Sequence, residues 1–230
     1  MNYVNCNKKD LEKEYAALVA EYEEVKGKGL KLNMARGKPG EDQLNLSRPL
    51  LDVINSSTDC ITAHGADCRN YGELAGIDEC KNFFAEIFDV DPSDVMVGGN
   101  SSLNMMFDTI AGFMTKPVVE GCKPWYEVKN RKFLCPAPGY DRHFAITEYF
   151  DFDLIPVPMT ENGPDMDVVE KLVENDDSIK GIWCVPKYSN PLGITFSDET
   201  VKRFAALKPV AKDFRIMWDN AYCVHDVTDT

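Results

Sequence analysis

Five short, continuously apolar runs, separated by stretches of helical periodicity, constrain this chain more than any other feature. They are "DVMVGG" (94–99), "KFLCP" (132–136), "FDLIPVP" (152–158), "GIWCVP" (181–186) and "RIMWDN" (215–220). Strands that are apolar on both faces must be covered on both faces, as in a parallel sheet with helices above and below. Between the runs, Leu103, Met106, Phe107 and Ile110 share one helical face, and Val168, Val169, Leu172 and Val173 share another. A further helix is predicted from an N-cap at Ser197, with Asp198 and Glu199 in its first turn and Val201, Phe204 and Ala205 beyond. Repeated strand–helix units of this kind predict an α/β fold with a mainly parallel sheet.

Ahead of these units, Leu11, Tyr15, Leu18, Val19, Tyr22 and Val25 form one stripe at 3.6-residue spacing, predicting a helix over 8–26 that stops at Gly27. Residues 27–49 are rich in Gly and Pro and read as irregular, and 76–88 reads as another helix. The 230-residue length allows one large or two small domains with a sizeable core. A formal charge of −13 counts against a nucleic-acid or anionic-membrane partner, both of which need a basic surface. The eight cysteines are scattered, with no C-x-x-C pair and no Cys/His cluster at zinc-ligand spacing, so they read as reduced, buried small hydrophobes and no metal is expected. The N-terminus has no apolar signal core and no stretch reaches transmembrane length, so the expected compartment is the cytoplasm.

In open parallel sheets, ligands collect at the carboxyl ends of strands. The first run ends in Gly98-Gly99-Asn100-Ser101-Ser102 and enters a helix, a layout that suits a phosphate and equally a plain capped turn. It is neither G-x-G-x-x-G nor a Walker sequence. The second ends in "CPAPGYDRH", a rigid loop presenting Tyr140, Asp141 and His143; Tyr140 could stack on a planar ring or cover the sheet edge. His143 taken alone reads as a structural hydrogen-bonder. The fourth ends in "PKYSNPLG", where Asn190 offers an amide donor. The fifth ends in Asp219, followed by Tyr222. A carboxylate at the end of an apolar strand, with no metal ligand nearby in sequence, calls for a cationic partner, and a protonated heterocyclic nitrogen would serve. A phosphate cradle, a stacking ring, an amide and an acid together describe a pyridine ring that carries a phosphate.

On these segments, together with "NMARGKPGEDQLNLS" and "RNYGELAGI", the chain resembles a fold-type I pyridoxal-phosphate (PLP) enzyme of the class I/II aminotransferases. Within that superfamily it is most similar to the aspartate aminotransferase branch related to MocR proteins. The resemblance implies a three-layer α/β/α large domain. Residues 1–50 would form an N-terminal helix and arm, residues 51–230 a partial PLP-binding domain, and a C-terminal small domain would be absent. It implies that Asp219 pairs with the pyridine nitrogen, Tyr222 and Asn190 bond the phenolic oxygen, Asn100, Ser101 and Ser102 hold the phosphate, and Tyr140 stacks on the ring. Tyr71 would reach the phosphate of a neighbouring subunit in a homodimer, and Gly37 would lie where the N-terminal segment closes over the substrate carboxylate. Arg36 and Lys38 are secondary candidates for an acidic substrate.

The family's Schiff-base lysine follows "D-x-A-Y", whereas "NAYCVHDVTDT" contains no lysine, and neither Lys187 nor Lys38 stands in its position. The chain is therefore expected to be an N-terminal fragment of an enzyme that transaminates aspartate with 2-oxoglutarate, inactive in isolation. Another PLP chemistry (a lyase or decarboxylase) and a non-catalytic PLP-binding module are the alternatives. The two strands that follow "DNAY" in the family lie beside the first run, which would lack neighbours here.

Overall fold

The computed structural model describes residues 3–32 and 38–227. It divides into two compact units, Met1–Cys60 and Ile61–Thr230.

In the first unit a 3-10 turn at Tyr3–Asn5 precedes α1 (Lys8–Gly27), whose N-cap Asn7 accepts from the Asp10 amide at 3.0 Å. Glu12, Glu23 and Glu24 pair with Lys8, Lys26 and Lys28 along its surface. The predicted apolar stripe is present, and all six of its residues are exposed. Residues 38–49, read from the sequence as part of an irregular segment, are more ordered than their Gly and Pro content predicts, because α2 (Glu41–Ser47) forms there, followed by a 3-10 turn at Arg48–Asp52. The local cause is a cap. The Gly40 amide donates to Gln43 Oε1 at 2.7 Å, and Glu41 and Asp42 face the positive end of the helix.

The second unit runs α3 (Asp78–Phe88), α4 (Ser102–Thr115), β1 (Lys132–Ala137), α5 (Asp141–Tyr149), β2 (Asp153–Thr160), β3 (Gly163–Pro164), α6 (Met166–Val173), β4 (Ile179–Cys184), α7 (Asp198–Ala205) and β5 (Arg215–Trp218). The sheet order is β3-β2-β1-β4-β5, parallel throughout except for the short antiparallel β3. Four of the five apolar runs are thus strands. The exception is "DVMVGG". Val95 is extended, but residues 95–99 join no ladder: the Val95 amide donates to Pro92 O at 3.2 Å and the Val97 amide to Ala75 O at 2.8 Å. A strand needs a neighbour to pair with, and this run, as expected, pairs with none of the five strands.

Alternation along the strands sends side chains to two cores, one on each face of the sheet. Leu134, Ile182 and Cys184 join Val169, Val173 and Phe204 of α6 and α7. Phe133, Cys135 and Trp183 join Ile110, Met114 and Ile146 of α4 and α5. The result is the three-layer α/β/α arrangement. Helix α5 was not predicted, because "DRHFAITEY" mixes polar, aromatic and β-branched residues and shows no clear stripe. Its start is nevertheless fixed sharply: a Cβ on Gly139 would stand 2.1 Å from Pro136 O, so the chain can fold back at this point only without a side chain.

At the amino ends of the strands, three polar groups are satisfied in the interior. Lys180 Nζ donates to Asp213 Oδ1 at 2.8 Å and to Asp177 O at 2.9 Å, and Trp125 Nε1 donates to Asp213 Oδ2 at 2.9 Å. Lys180 and Asp213 are both buried. The eight cysteines form no disulfide, but the expectation that they are buried holds only for Cys135 and Cys184. Cys68 is exposed and the other five are half-buried, since they lie on loops and helix surfaces and not in the strands.

Two outcomes follow. Lys180→Met strands the Asp213 carboxylate, and the urea midpoint should fall by the equivalent of about 3–5 kcal/mol. Asp213→Leu in the same background should recover only part of this, because the Trp125 N–H loses its acceptor. Burial pushes the Cys135 thiol up to about 12 and raises Cys184 as well. Alkylation at pH 8 followed by mass spectrometry should therefore modify Cys68 in the native chain, and Cys135 and Cys184 only on unfolding.

Candidate functional site

The site lies at the carboxyl ends of β1, β4 and β5. The last rung between β4 and β5 is the Asp219 amide donating to Cys184 O at 2.9 Å. That bond holds the Asp219 backbone in sheet register while its side chain leaves the sheet. Asp219 Oδ2 lies 2.9 Å from His143 Nε2. An ionised carboxylate only accepts, so Nε2 carries the proton in this bond.

His143 is 1 % exposed. Its ring stacks on Trp183 (centroids 4.7 Å apart, planes 18° apart) and meets Tyr140 edge-on at 4.9 Å. Helix α5 sets this position: His143 follows Tyr140 by almost one turn and points to the sheet with Ile146 and Thr147. Sequence reasoning treated His143 as a structural hydrogen-bonder, and the structure makes it the partner of the key acid. The available signal was the Tyr140-to-His143 spacing, which carries this meaning only once residues 141–149 are read as a helix.

Two concavities adjoin the pair. One, of about 680 Å³, is lined by Ser102, Met105, Met106, Met217 and Asp219 among others, so it brings together one expected phosphate residue and the expected ring-nitrogen acid. The volume falls in the range typical of small-molecule sites. The other is a narrow cleft lined by Tyr140, His143, Trp183, Ser189 and Asn190, and it joins the expected stacking ring to the expected amide.

Asn100, Ser101, Tyr222 and Tyr71 line neither concavity. Ser101 is the N-cap of α4, its Oγ accepting from the Asn104 amide at 3.4 Å. Asn100 lies just before it on the surface. Tyr222 is on the turn after β5, with its ring 6.1 Å from that of Tyr188. Tyr71 is 98 % exposed, and its amide donates to Asn70 Oδ1. Gly37 and Arg36 lie outside the described residues, and Lys38 is exposed. Lys187 forms an ion pair with Asp226, and the bond to that carboxylate holds its ammonium form above the usual lysine range.

The chain from residue 6 to residue 230 matches the aspartate amino-transferase family. The chain belongs to that family. The aspartate aminotransferase of Corynebacterium glutamicum is 46% identical over 208 residues, covering 90% of this chain and 48% of that protein. The crystal structure of an aspartate transaminase from the same organism superposes with a TM-score of 0.86 at 42% identity, covering 98% of this chain and 53% of that one. Pyrococcus horikoshii kynurenine aminotransferase, at 16% identity and a TM-score of 0.57, shares the fold over 92% of this chain and 50% of its own. This chain thus spans about half the length of the relatives it matches.

The His143–Asp219 bond can be tested without any ligand. His143→Leu should lower stability by about 1–3 kcal/mol by leaving a partly buried acceptor unpaired. With Asp219→Asn it should be non-additive, giving a coupling of about 0.5–3 kcal/mol in a urea double-mutant cycle.

Proposed function

We propose that this chain is the cofactor-cradling part of a PLP-dependent aminotransferase that acts on aspartate with 2-oxoglutarate as acceptor. The observation that carries the reading is Asp219, set at the end of β5, held by His143 and facing the same cavity as Ser102 at the start of α4. The substrate pair follows the relative from C. glutamicum, named aspartate aminotransferase.

The residues fit the cofactor. The 14-residue α4 presents free amides at its start for a phosphate, with the Ser102 hydroxyl beside them. Ser101 already serves as the cap, so its part in phosphate binding is secondary to that of Ser102 and the amides, with Asn100 at the rim. His143 engages only Oδ2 of Asp219, and Oδ1 is available to hold a proton on a ring nitrogen. Tyr140 and Asn190 share the neighbouring cleft, where a ring face and a phenolic oxygen would be met, with Tyr222 on the adjoining turn. When bound, PLP supplies an electron sink for a carbanion at the amino-acid α-carbon.

Lys187 is the described lysine on the loop that bears Asn190, and its pairing with Asp226 favours the protonated, non-nucleophilic form. This supports a chain that by itself binds PLP reversibly and turns nothing over. The exposure of Tyr71 suits a homodimer in which it reaches the second subunit, and Gly37 would close over the substrate carboxylate. Among the described residues no helix is long and apolar enough to cross a membrane, which agrees with a cytoplasmic protein.

Titration with PLP, followed by tryptophan fluorescence, should show saturable binding. Asp219→Ala should weaken it by about tenfold to a hundredfold, the size expected for losing a hydrogen bond to a charged group. Borohydride treatment should leave no pyridoxyl label on Lys187, and aspartate with 2-oxoglutarate should not be consumed. Saturable binding unaffected by Asp219→Ala would falsify the assignment of the site.

A further inference from the structure

Beyond the last rung at Asp219, β4 and β5 continue into separate loops with no ladder between them. Each carries one of the residues proposed above for the phenolic oxygen: Asn190 on the loop after β4 and Tyr222 on the turn after β5. Something must hold these two segments in register if Asn190 and Tyr222 are to meet one oxygen atom.

A single hydroxyl bridges them. Tyr188 Oη donates to His225 O at 2.9 Å and accepts from the Val227 amide at 3.0 Å, so it is used in both directions. Lys187 pairs with Asp226, the residue between those two partners. Two consecutive residues of one loop thus grip three consecutive residues of the other. The Tyr188 ring packs at 6.1 Å from Tyr222, and Tyr222 meets His225 edge-on at 5.9 Å. On the other side of Tyr188 the chain is equally fixed. The Ser189 amide donates to Ile194 O at 2.8 Å, the Ile194 amide donates to Ser189 Oγ at 2.9 Å, and the Gly193 amide donates to Ser189 O at 2.6 Å. Asn190 therefore sits on a closed turn whose base is Ser189, the neighbour of Tyr188.

We propose that Tyr188 is a positioning residue that sets Tyr222 and Asn190 at the separation one phenolic oxygen requires. The inference rests on the proposed cofactor reading. Because its hydroxyl is spent on the backbone of residues 225 and 227, Tyr188 acts through Tyr222 and makes no contact with the cofactor itself.

The test compares PLP with 3-deoxypyridoxal phosphate, which lacks only the phenolic oxygen, on the full 230-residue chain. The wild-type chain should bind PLP the more tightly. In Tyr188→Phe, which keeps the ring and removes both bonds, PLP binding should weaken by about tenfold while the analogue is unaffected. Tyr222→Phe should lose the same discrimination. Hydrogen exchange separates the two variants: the Val227 amide should exchange at least about tenfold faster in Tyr188→Phe and stay protected in Tyr222→Phe. Full discrimination retained in Tyr188→Phe overturns the proposal, as does an equal loss for both ligands, which is what a merely structural tie would give. A wild-type chain that binds PLP and its analogue equally well overturns the positioning but leaves the cofactor reading intact. A chain that binds neither overturns the cofactor reading and the inference with it.

Discussion

The pairing of β4 with a strand on each side is the constraint on which the second unit depends. All six residues of β4 are buried, β1 and β5 occupy its two edges, and its side chains alternate between two cores. Ile182 and Cys184 pack towards α6 and α7, and Trp183 packs towards α4 and α5. The β1–β4 ladder has one irregularity, at Lys132/Phe133; beyond it, a slip of one residue would exchange the two cores. The same strand supplies the geometry of the site. Cys184 O receives the Asp219 amide, and Trp183 gives His143 the surface on which it stacks.

The site uses that rigidity in layers. Trp183 orients His143, His143 holds one oxygen of Asp219, and Asp219 lines the cavity that also receives the start of α4. Each contact is modest alone, but together they fix a carboxylate at a sheet edge where solvation would otherwise let it wander. The polar residues of the site sit on loops, a strand end and helix starts, while the groups that aim them belong to the sheet and to α5. Binding positions on loops carried by a rigid scaffold are the usual arrangement in proteins of this architecture.

Much of this was legible in the sequence because it rests on local pattern. Continuous apolar runs gave four strands, and the cap at Ser197 with the stripes of α1, α4 and α6 gave helices. What the sequence hid depends on who a segment's neighbours are. "DVMVGG" has the composition of a strand, yet pairing is a property of two segments and cannot be read from one. The α5 helix was masked because its nine residues hold only one turn of inward-facing groups, which left the role of His143 unseen. The α1 stripe was read correctly as a pattern, but pattern alone does not say what covers it, and among the described residues all six of its side chains stay exposed. The roles of Asn100, Ser101, Tyr71, Tyr222 and Asn190 came from resemblance, and the structure adds position to each without adding a ligand.

Strand β5 lies between two carboxylates with opposite fates. Asp213, just ahead of it, is consumed by Lys180 and Trp125, while Asp219, just beyond it, keeps an oxygen in reserve. The buried group at one end therefore acts as a datum for the other. Each residue of strand advances the chain by about 3.3 Å, so an unanchored β5 sliding by a single place would carry the acid past His143 altogether. An ion pair at the amino end of the sheet thus meters where the Asp219 carboxylate arrives.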